Sequence, residues 1–464
     1  MKPRNTPFYF LCICFLLIAA SELANAQNLN SNARSVGMAN TGVSTVNGVD
    51  AIGINPAGIL LDQGKHLSIG LLPFGMFAGT DFLDMTTYKK YFTGVDDGTG
   101  KRTAYYLNDA DKQTILSMFK GDLGHFSSNI GFNLIGVTVT THFGSLGLNI
   151  SDRIAANLTI PSDYADFLLY GNTPGKTFNF DKTQINSWWI RDYSLTYARN
   201  LYLPIIKNLS VGVSGKYVQG FGYFGTESFN SHFTTAPDSF VITGQANLLA
   251  HYAGTEFLAQ MQGPMSFELF PSPVGQGFGI DIGAIAEFYN GITVGISLID
   301  IGAITWNRNA KEISANEEIH LSDFSDGTQL KTLQEKLNGR EQIISSFSTA
   351  LPTTLNVGAS MKFTRVLGRS DQAVLAASLR QGFNNMPGTS TSPRIGFGGE
   401  WDFIGGIPLR TGVAFGGYSP VALAAGIGLN IEKFRLDLST DNLGVAFNQN
   451  SSAASFAIGM RVDF

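Results

Sequence analysis

The last ten residues of the chain alternate between apolar and polar side chains. Every even position from Phe456 to Phe464 is apolar, and every odd position between them is small or charged. A period of two predicts a β-strand with one apolar and one polar face. Such a strand suits a membrane barrel, in which one face meets lipid and the other meets a wet lumen. The predicted fold class is therefore all-β, a transmembrane antiparallel β-barrel.

The amino terminus predicts export. Lys2 and Arg4 precede an apolar run over residues 8–20, and Ala24, Asn25 and Ala26 supply the small residues of a signal-peptide cleavage site. The run is shorter than the ~20 apolar residues that a membrane-spanning helix needs. Residues 1–26 are therefore predicted to be a signal peptide that is removed near Ala26.

Composition excludes several classes of protein. Both cysteines, Cys12 and Cys14, lie in the signal peptide, so the mature chain has no disulfide, thiol nucleophile or thiolate metal site. Without Lys2, Arg4 and Glu22, the 31 basic and 36 acidic residues become 29 and 35, a net charge of −6 that does not favour nucleic acid. No mature stretch reaches ~18 uninterrupted apolar residues, which excludes a helical membrane protein. Charged residues make up 14% of the chain, against ~25% in soluble domains. A low charge content suits barrel strands, because one face of each strand is apolar.

Alternation along the mature chain predicts fourteen strands. They lie near residues 65–77, 128–141, 143–153, 187–200, 208–220, 276–289, 291–304, 353–365, 371–383, 393–404, 407–416, 421–431, 433–441 and 454–464. Long and short connections alternate, and an even count puts both termini of the chain on the periplasmic side. The predicted long extracellular loops are about 78–127, 154–186, 221–275 and 305–352.

One further segment complicates the count. The stretch from Ser239 to Tyr252 also has the pattern of a strand, and it is predicted to belong to a hairpin that projects outside the membrane. A barrel of sixteen strands is the main alternative to fourteen.

A small-residue run over 37–42 and the motif Asn55, Pro56, Ala57 separate the signal peptide from the first strand. An Asn-Pro pair alone commonly just begins a turn. Together with the strand count, these residues resemble the long-chain fatty-acid transporter (FadL-type) superfamily of outer-membrane barrels, whose hatch carries an Asn-Pro-Ala motif. The resemblance implies that residues 27–64 form a hatch inside the lumen and that residues 65–464 form the barrel.

The sequence segments 147–153, 170–172 and 351–358 resemble a family of outer-membrane barrels of unknown function. The resemblance covers nearly the whole mature chain. The last strand also resembles the C-terminal strand of bacterial outer-membrane barrels, in which a terminal Phe is the usual assembly signal. These resemblances imply location in the bacterial outer membrane, contact with its lipid, and recognition of Phe464 by the barrel-assembly machinery.

The FadL-type resemblance also implies a function. In those transporters, loops capture an apolar ligand and movement of the hatch lets it leave sideways through the wall, so this chain is expected to bind and pass a hydrophobic, fatty-acid-like molecule. The third long loop has the apolar residues for a capture site, and the alternative is that they pack the loop on itself or stand in an aromatic girdle. They are Phe221, Tyr223, Phe224, Phe229, Phe233, Phe257, Leu258, Met261, Met265, Phe267, Leu269 and Phe270.

Other apolar residues are assigned to structure. The girdle or wall is predicted to hold Trp188, Trp189, Tyr193 and Tyr197. Leucines at 330, 333 and 337 recur at helical spacing, which predicts a helix in the fourth long loop.

Charges predicted to face the lumen cluster late in the chain. They are Arg380, Arg394, Glu400, Asp402, Arg410, Arg435, Asp437, Arg461 and Asp463. Because they alternate in sign on neighbouring strands, a network that braces the wall is the simplest interpretation. The alternative hypothesis is that Arg394 and Arg410 steer an anionic head group and so bind ligand.

The alternation slips near Asn133 to Val139. Phe132 and Leu134 fall on one face, whereas Val137 and Val139 fall on the other. This slip is a candidate β-bulge, a break of the kind that lateral exit would require, or a misread strand.

No enzyme is expected. The six histidines include no His-Glu-x-x-His, the chain has no Gly-x-Ser-x-Gly, and residues 96–101 resemble a phosphate or calcium loop in composition only. No catalytic residue, metal site or cofactor is predicted. The alternative function is a surface-assembly or secretion-associated barrel that binds a protein partner without transporting solute.

Overall fold

A computed structural model describes residues 32–60, 65–96, 98–239, 241–254, 270–322, 327–364, 366, 371–416, 419–444 and 452–464. The predicted signal peptide and the residues from Phe257 to Leu269 of the predicted capture site lie outside the described residues.

Fourteen strand positions form a closed antiparallel barrel, as predicted, and the sixteen-strand alternative is not adopted. The first position is shared by two strands, β1 (Leu67–Gly70) and β2 (Phe74–Thr80), and both pair with the last strand, β23 (Ala453–Asp463), to close the wall. The wall consists of β1 (Leu67–Gly70), β2 (Phe74–Thr80), β5 (Leu123–Thr141), β6 (Gly144–Pro161), β8 (Gln184–Leu203), β9 (Ile206–Phe229), β12 (Gly275–Glu287), β13 (Ile292–Trp306), β17 (Thr354–Thr364), β18 (Gln372–Gly382), β19 (Arg394–Asp402), β20 (Pro408–Gly416), β21 (Ser419–Ile431), β22 (Phe434–Thr440) and β23 (Ala453–Asp463).

The remaining strands lie in the long connections. They are β3 (Val95–Asp96), β4 (Arg102–Thr103), β7 (Thr177–Asn179), β10 (His232–Thr235), β11 (Ile242–Ala253), β14 (Lys311–Leu321), β15 (Arg340–Ile343) and β16 (Phe347–Ala350). The strand-like segment predicted outside the membrane is β11, which pairs with β9, β10 and β14 and is not one of the fourteen.

The helices are short. They are α1 (Ala33–Gly37), α2 (Met85–Phe92), α3 (Asp109–Leu116), α4 (Asp163–Tyr170) and α5 (Gly327–Asn338), with 3-10 turns at Gly42–Ser44, Gly48–Ala51, Pro56–Ile59 and Lys120–Asp122. The predicted helix of the fourth loop is present as α5. Among the described residues, no helix combines the length and apolar character needed to cross a membrane.

The strands are apolar on the outside. In β21, Val421 and Leu423 are each 51% exposed, whereas Ala422 and Ala424 between them are 2% exposed. The same alternation runs around the wall, because successive side chains of a strand point to opposite faces. The exposed face is the one that lipid would cover, and the polar face lines the lumen.

One end of the barrel has short turns and the other has the long connections. Short links such as 142–143 and 204–205 lie at the same end as the junction of β1 with β23. At that junction Phe464 accepts backbone hydrogen bonds from His66 at 2.6 Å and Leu67 at 3.1 Å. We name the two ends the short-turn end and the long-loop end.

The wall is irregular at one place. Pairing of the first position with β5 stops at Gly70 and resumes at Phe74, and Leu72 between them has a φ of 45°. On β5, the register with β6 shifts between Asn133 and Ile135, which leaves Leu134 as an extra residue. This shift is the predicted bulge, and it returns Phe132 and Val137 to the same face.

Candidate functional site

Residues 32–60 contact every strand position of the wall, so they lie within the lumen. Inward-facing glycines make this contact possible. A Cβ at Gly212 would lie 2.4 Å from the carbonyl carbon of Pro56, and one at Gly398 would lie 2.4 Å from the Met38 oxygen. The segment therefore rests on the wall by direct contact between backbones.

The Asn-Pro-Ala motif joins this segment to the wall. Asn55 is fully buried, and its Oδ1 accepts a hydrogen bond from the Ala57 amide at 3.1 Å, which begins the 3-10 turn at Pro56. Its Nδ2 lies 3.2 Å from the Ala284 oxygen on β12 and 3.3 Å from the Ile296 oxygen on β13. One side chain thus caps a turn and binds two strands.

Ion pairs join the segment to the late strands. Arg34 makes two hydrogen bonds of 2.8 Å to Glu400, which also accepts from Arg410 at 2.6 Å. Arg461 binds Asp50 at 2.8 Å and Asp463 at 2.7 Å. Arg410 also lies 2.7 Å from Asp437. We name this group the hatch clamp: Arg34, Asp50, Glu400, Arg410, Asp437, Arg461 and Asp463.

The other predicted lumen charges have different settings. Arg394 pairs with Asp441 at 3.2 Å and lies directly across from Arg380 on the next strand. Arg435 lies 3.5 Å from Asp463. Asp402 accepts the Gly406 amide at a short turn. Arg394 and Arg410, predicted together as ligand-binding residues, belong to separate ion pairs, and their contact with a ligand stays a prediction.

A second charged group lies on five consecutive wall strands, and the sequence did not indicate it. Arg153 on β6 lies 2.8 Å from both Asp192 on β8 and Asp300 on β13. Lys216 on β9 lies 2.8 Å from Asp281 on β12 and 2.7 Å from Asp300. We name it the wall cluster: Arg153, Asp192, Lys216, Asp281 and Asp300. Each of these strands places one of the five charges on its inward face. A charge within a membrane strand is costly unless it is paired, so these charges could have predicted partners on other strands.

Cavities lie at both ends of the described part of the barrel and between them. A cavity of about 470 Å³ lies at the short-turn end, beside the hatch clamp. A cavity of about 80 Å³ lies between the wall cluster, the 48–53 region and the wall break, where Pro73, Phe132 and Asn133 line it. A cavity of about 240 Å³ at the long-loop end is lined by polar residues such as His125, Asn157 and Gln184.

An apolar core fills part of the long-loop end. Tyr223 stacks on Trp306 with ring centroids 5.3 Å apart, and both side chains are buried. The buried residues of this core are Ala155, Trp188, Ile190, Val218, Tyr223, Ala253, Ile304, Trp306 and Leu351.

The described residues of the predicted capture site face different surroundings. Tyr223 lies in the apolar core, which also contains Trp188. The Phe221 ring packs 5.0 Å from the ring of Trp189, which points to the opposite face of β8 from Trp188. Phe224 lies 6.5 Å from Tyr252, and Phe270 is 72% exposed. The register shift between Trp189 and Ile190 separates Phe221 from Tyr223. The capture site stays a prediction.

Beyond the wall, β15 ends an outer sheet. Glu341 on β15 accepts hydrogen bonds from Lys311 at 2.7 Å and from the Tyr252 hydroxyl. Partial burial opposes ionisation of Glu341, but the Lys311 and Tyr252 hydrogen bonds outweigh it and lower the pKa of this carboxyl. Burial, together with the carboxylate of Glu341, raises the pKa of the Tyr252 hydroxyl.

The described part of the chain contains no group of three His, Cys, Asp or Glu side chains placed to hold a metal ion. At 96–101, Asp96 accepts the Gly98 amide at 2.9 Å and the Gly100 amide at 3.2 Å, so its carboxylate serves a turn.

Residues 62–441 match the model of a family of unknown function, DUF5723. The chain belongs to this family. The predicted membership of a family of unknown function is thereby confirmed. No curated protein sequence matches the chain.

Solved structures with a similar barrel share little sequence with this DUF5723 protein. The Pseudomonas putida toluene transporter TodX has a TM-score of 0.40 and 9% identity, over 95% of this chain and 97% of that chain. A Pseudomonas aeruginosa FadL homologue has a TM-score of 0.39 and 11% identity, over 95% and 97%. The translocator domain of the Neisseria meningitidis autotransporter NalP has a TM-score of 0.29 and 9% identity, over 87% and 90%. Similarity at this level transfers neither ligand nor activity to this chain.

Proposed function

We propose that this chain is an outer-membrane transport barrel in which the lumen segment 27–64 acts as a hatch. A hydrophobic, fatty-acid-like molecule enters at the long-loop end and leaves sideways through the wall. The observation that carries the proposal is the alignment of the break in the first strand position with the bulge on β5.

The two irregularities face each other. Leu71, Leu72 and Pro73 lie opposite Asn133, Leu134 and Ile135, between the regular pairs Gly70 with Gly136 and Phe74 with Phe132. Across the break the structure gives one backbone hydrogen bond, from the Asn133 amide to the Pro73 oxygen at 3.0 Å. A ladder with few hydrogen bonds is the part of a sheet that opens most easily.

The surroundings of the break suit an amphiphile. Leu71 is 40% exposed and Leu72 is 63% exposed on the outer side, where apolar groups would meet lipid. The cavity behind the break is lined by Asp192 and Arg153 as well as by Val49 and Ile52 of the hatch. A molecule with a polar end and an apolar tail matches both sides of this wall.

The proposed location follows from the two ends of the barrel. Short turns at one end and long connections at the other are the pattern of outer-membrane barrels, with the short turns in the periplasm. Removal of residues 1–26, recognition of Phe464 by the assembly machinery and contact with outer-membrane lipid belong to the same proposal.

The decisive experiment straightens the wall. Deletion of both Leu72 and Leu134 removes one residue from each side of the break and restores a regular ladder. The control is the double substitution Leu72→Ala and Leu134→Ala, which keeps the residue count and therefore the break. Both variants and the unaltered chain are expressed in bacteria that lack their own fatty-acid transporter, and entry of radiolabelled palmitate is measured.

We expect palmitate entry with the unaltered chain and with the alanine control, and loss of entry with the deletion variant at equal levels of folded barrel. Entry that survives the deletion would refute the lateral route. No entry above the empty host for any form would refute fatty-acid transport and favour the surface-assembly function. For that function, β15 is exposed and pairs with β14 alone among the described strands, which leaves its other edge open to a protein partner.

A further inference from the structure

A patch of four inward residues lies on two adjacent wall strands beside the cavity at the wall break. The register of β6 and β8 places Asn149 directly across from Ser194 and Ser151 directly across from Asp192. All four line the cavity of about 80 Å³. Residues that face each other across a strand pair have Cβ atoms about 4.5–5.5 Å apart, so their oxygen atoms converge on a small volume.

Three oxygens of this patch have no hydrogen-bond partner. They are Oδ1 of Asn149, Oγ of Ser194 and Oδ1 of Asp192, and the three residues are 6%, 5% and 4% exposed. Buried polar atoms in folded proteins are almost always paired with protein or with a bound group. Three unpaired oxygens on one side of one cavity therefore indicate a ligand that the protein binds there.

The charges around the patch define the sign of the charge that the ligand carries. The charged residues that line this cavity are two bases and four carboxylates, namely Arg153, Lys216, Asp50, Asp152, Asp192 and Asp300. Both bases are already engaged, since Arg153 and Lys216 each lie within 2.8 Å of two carboxylates. The Arg153 Nε makes no hydrogen bond, but it lies 2.8 Å from the second oxygen of Asp192 as an ion pair. The patch therefore attracts positive charge.

We propose that Asn149, Ser151, Asp192 and Ser194 bind a small monovalent cation. Amide, hydroxyl and carboxylate oxygens are the ligands that hard cations take. A single free carboxylate oxygen suits one positive charge. The cavity has room for an ion with a few of its waters, because one water needs roughly 10–15 Å³ of such volume. This site goes beyond the proposed transport, since it needs neither a fatty acid nor movement of the hatch.

The test is thermal unfolding of the purified barrel in detergent, in sodium, potassium or choline chloride at equal ionic strength. Choline is too large for the cavity and sets the baseline. We expect the unfolding midpoint to rise by roughly 3 °C or more in sodium or potassium, as saturation of one site produces. The double variant Asn149→Ala, Ser194→Ala is expected to lose this rise and to keep the choline midpoint, because neither deleted group has a protein partner.

A matched control removes a lumen hydroxyl that does have a partner. Ser439 donates to the Ala33 oxygen at 2.7 Å, so Ser439→Ala is expected to lower the midpoint equally in all three salts. Equal midpoints for the unaltered chain in the three salts would show that the cavity holds water only and would overturn the proposal. A rise that persists undiminished in the double variant would also overturn it, because the cation would then bind elsewhere. If the double variant does not fold, Ser194→Ala alone serves in its place.

Discussion

The hatch clamp and the wall cluster are both buried charged groups inside one barrel, but they join different things. In the hatch clamp, Arg34 and Asp50 come from the lumen segment, and their partners lie on β19 and β23. In the wall cluster, all five residues belong to consecutive wall strands from β6 to β13. The first group fastens a separate piece to the wall, whereas the second fastens the wall to itself.

This difference assigns the two groups different roles. The wall cluster is a frame that stabilises the barrel itself, whereas the hatch clamp is a fastening that holds residues 32–60 against it. Ion pairs between two pieces can be exchanged for water one at a time, whereas pairs that span five hydrogen-bonded strands break only when the sheet opens. We therefore expect loss of the hatch clamp to release the hatch from a closed barrel, and loss of the wall cluster to loosen the barrel around a seated hatch.

The largest effect is expected for Glu400→Ala. This change leaves Arg34 and Arg410 without their shared carboxylate, and breaking a buried pair costs about 3–5 kcal/mol. Unfolding in urea measures the loss, and protease cleavage within residues 32–60 reports release of the hatch. A hatch that stays protected at every urea concentration below global unfolding would contradict the fastening role.

Asp300→Asn should be the next in size. The amide keeps one acceptor oxygen, which can still take the Lys216 hydrogen bond, but it removes the charge and turns an NH2 donor towards Arg153. A loss of about 1.5–3 kcal/mol is expected for bonds to charged groups. The urea midpoint should fall while residues 32–60 keep their protection from protease up to global unfolding. Early cleavage of the hatch would show that the frame and the fastening are one unit.

Gly283→Ala tests the close approach of residues 32–60 to the wall without touching a charge. Its Cβ would lie 2.1 Å from the Asn55 Oδ1, so either the hatch or β12 must shift, at about 1–3 kcal/mol. The control is Gly215→Ala, whose Cβ has no atom within 4 Å and whose effect should stay within about 0.5 kcal/mol. Equal stability of the two variants would mean that residues 32–60 can shift away from β12 at little cost in free energy.

Glu341 outside the wall gives the smallest effect and sets the scale for exposed pairs. Because its folded pKa is lowered, its contribution is present above the pKa of an unfolded glutamate and is lost as pH falls through the folded pKa. Glu341→Gln should cost about 0.2–1 kcal/mol at neutral pH and less at an acid pH, as the carboxyl becomes protonated. Hydrogen exchange of β15 at both pH values measures it, and a variant effect that grows in acid would refute this sign.

The strands were predictable because one rule, alternation, governs all of them, and even the bulge at Leu134 was visible as a slip in that rule. The late lumen charges were visible for the same reason. Their partners were not, because Arg34 and Glu400 are 366 positions apart and the pairing is made by the closed barrel. The wall cluster escaped notice because each of its five strands contributes only one of its charges, and the pairs form only when the strands come together.

The faces of the loop aromatics could not be predicted either. Phe221 and Tyr223 have the spacing that puts residues on one face, but the register shift between Trp189 and Ile190 sends them to opposite sides. A shift of this kind depends on the partner strand, which local sequence does not reveal.

The closing contact of the barrel also sets an order in time. Asp50 belongs to the part of the chain that a ribosome makes early, whereas Arg461, which holds it, arrives with the last strand. Until that strand docks, the hatch has only part of its restraint, and docking of β23 against β1 and β2 closes the wall and completes the restraint in a single event. The chain therefore stays unlocked until its final strand docks, and docking of that strand locks it.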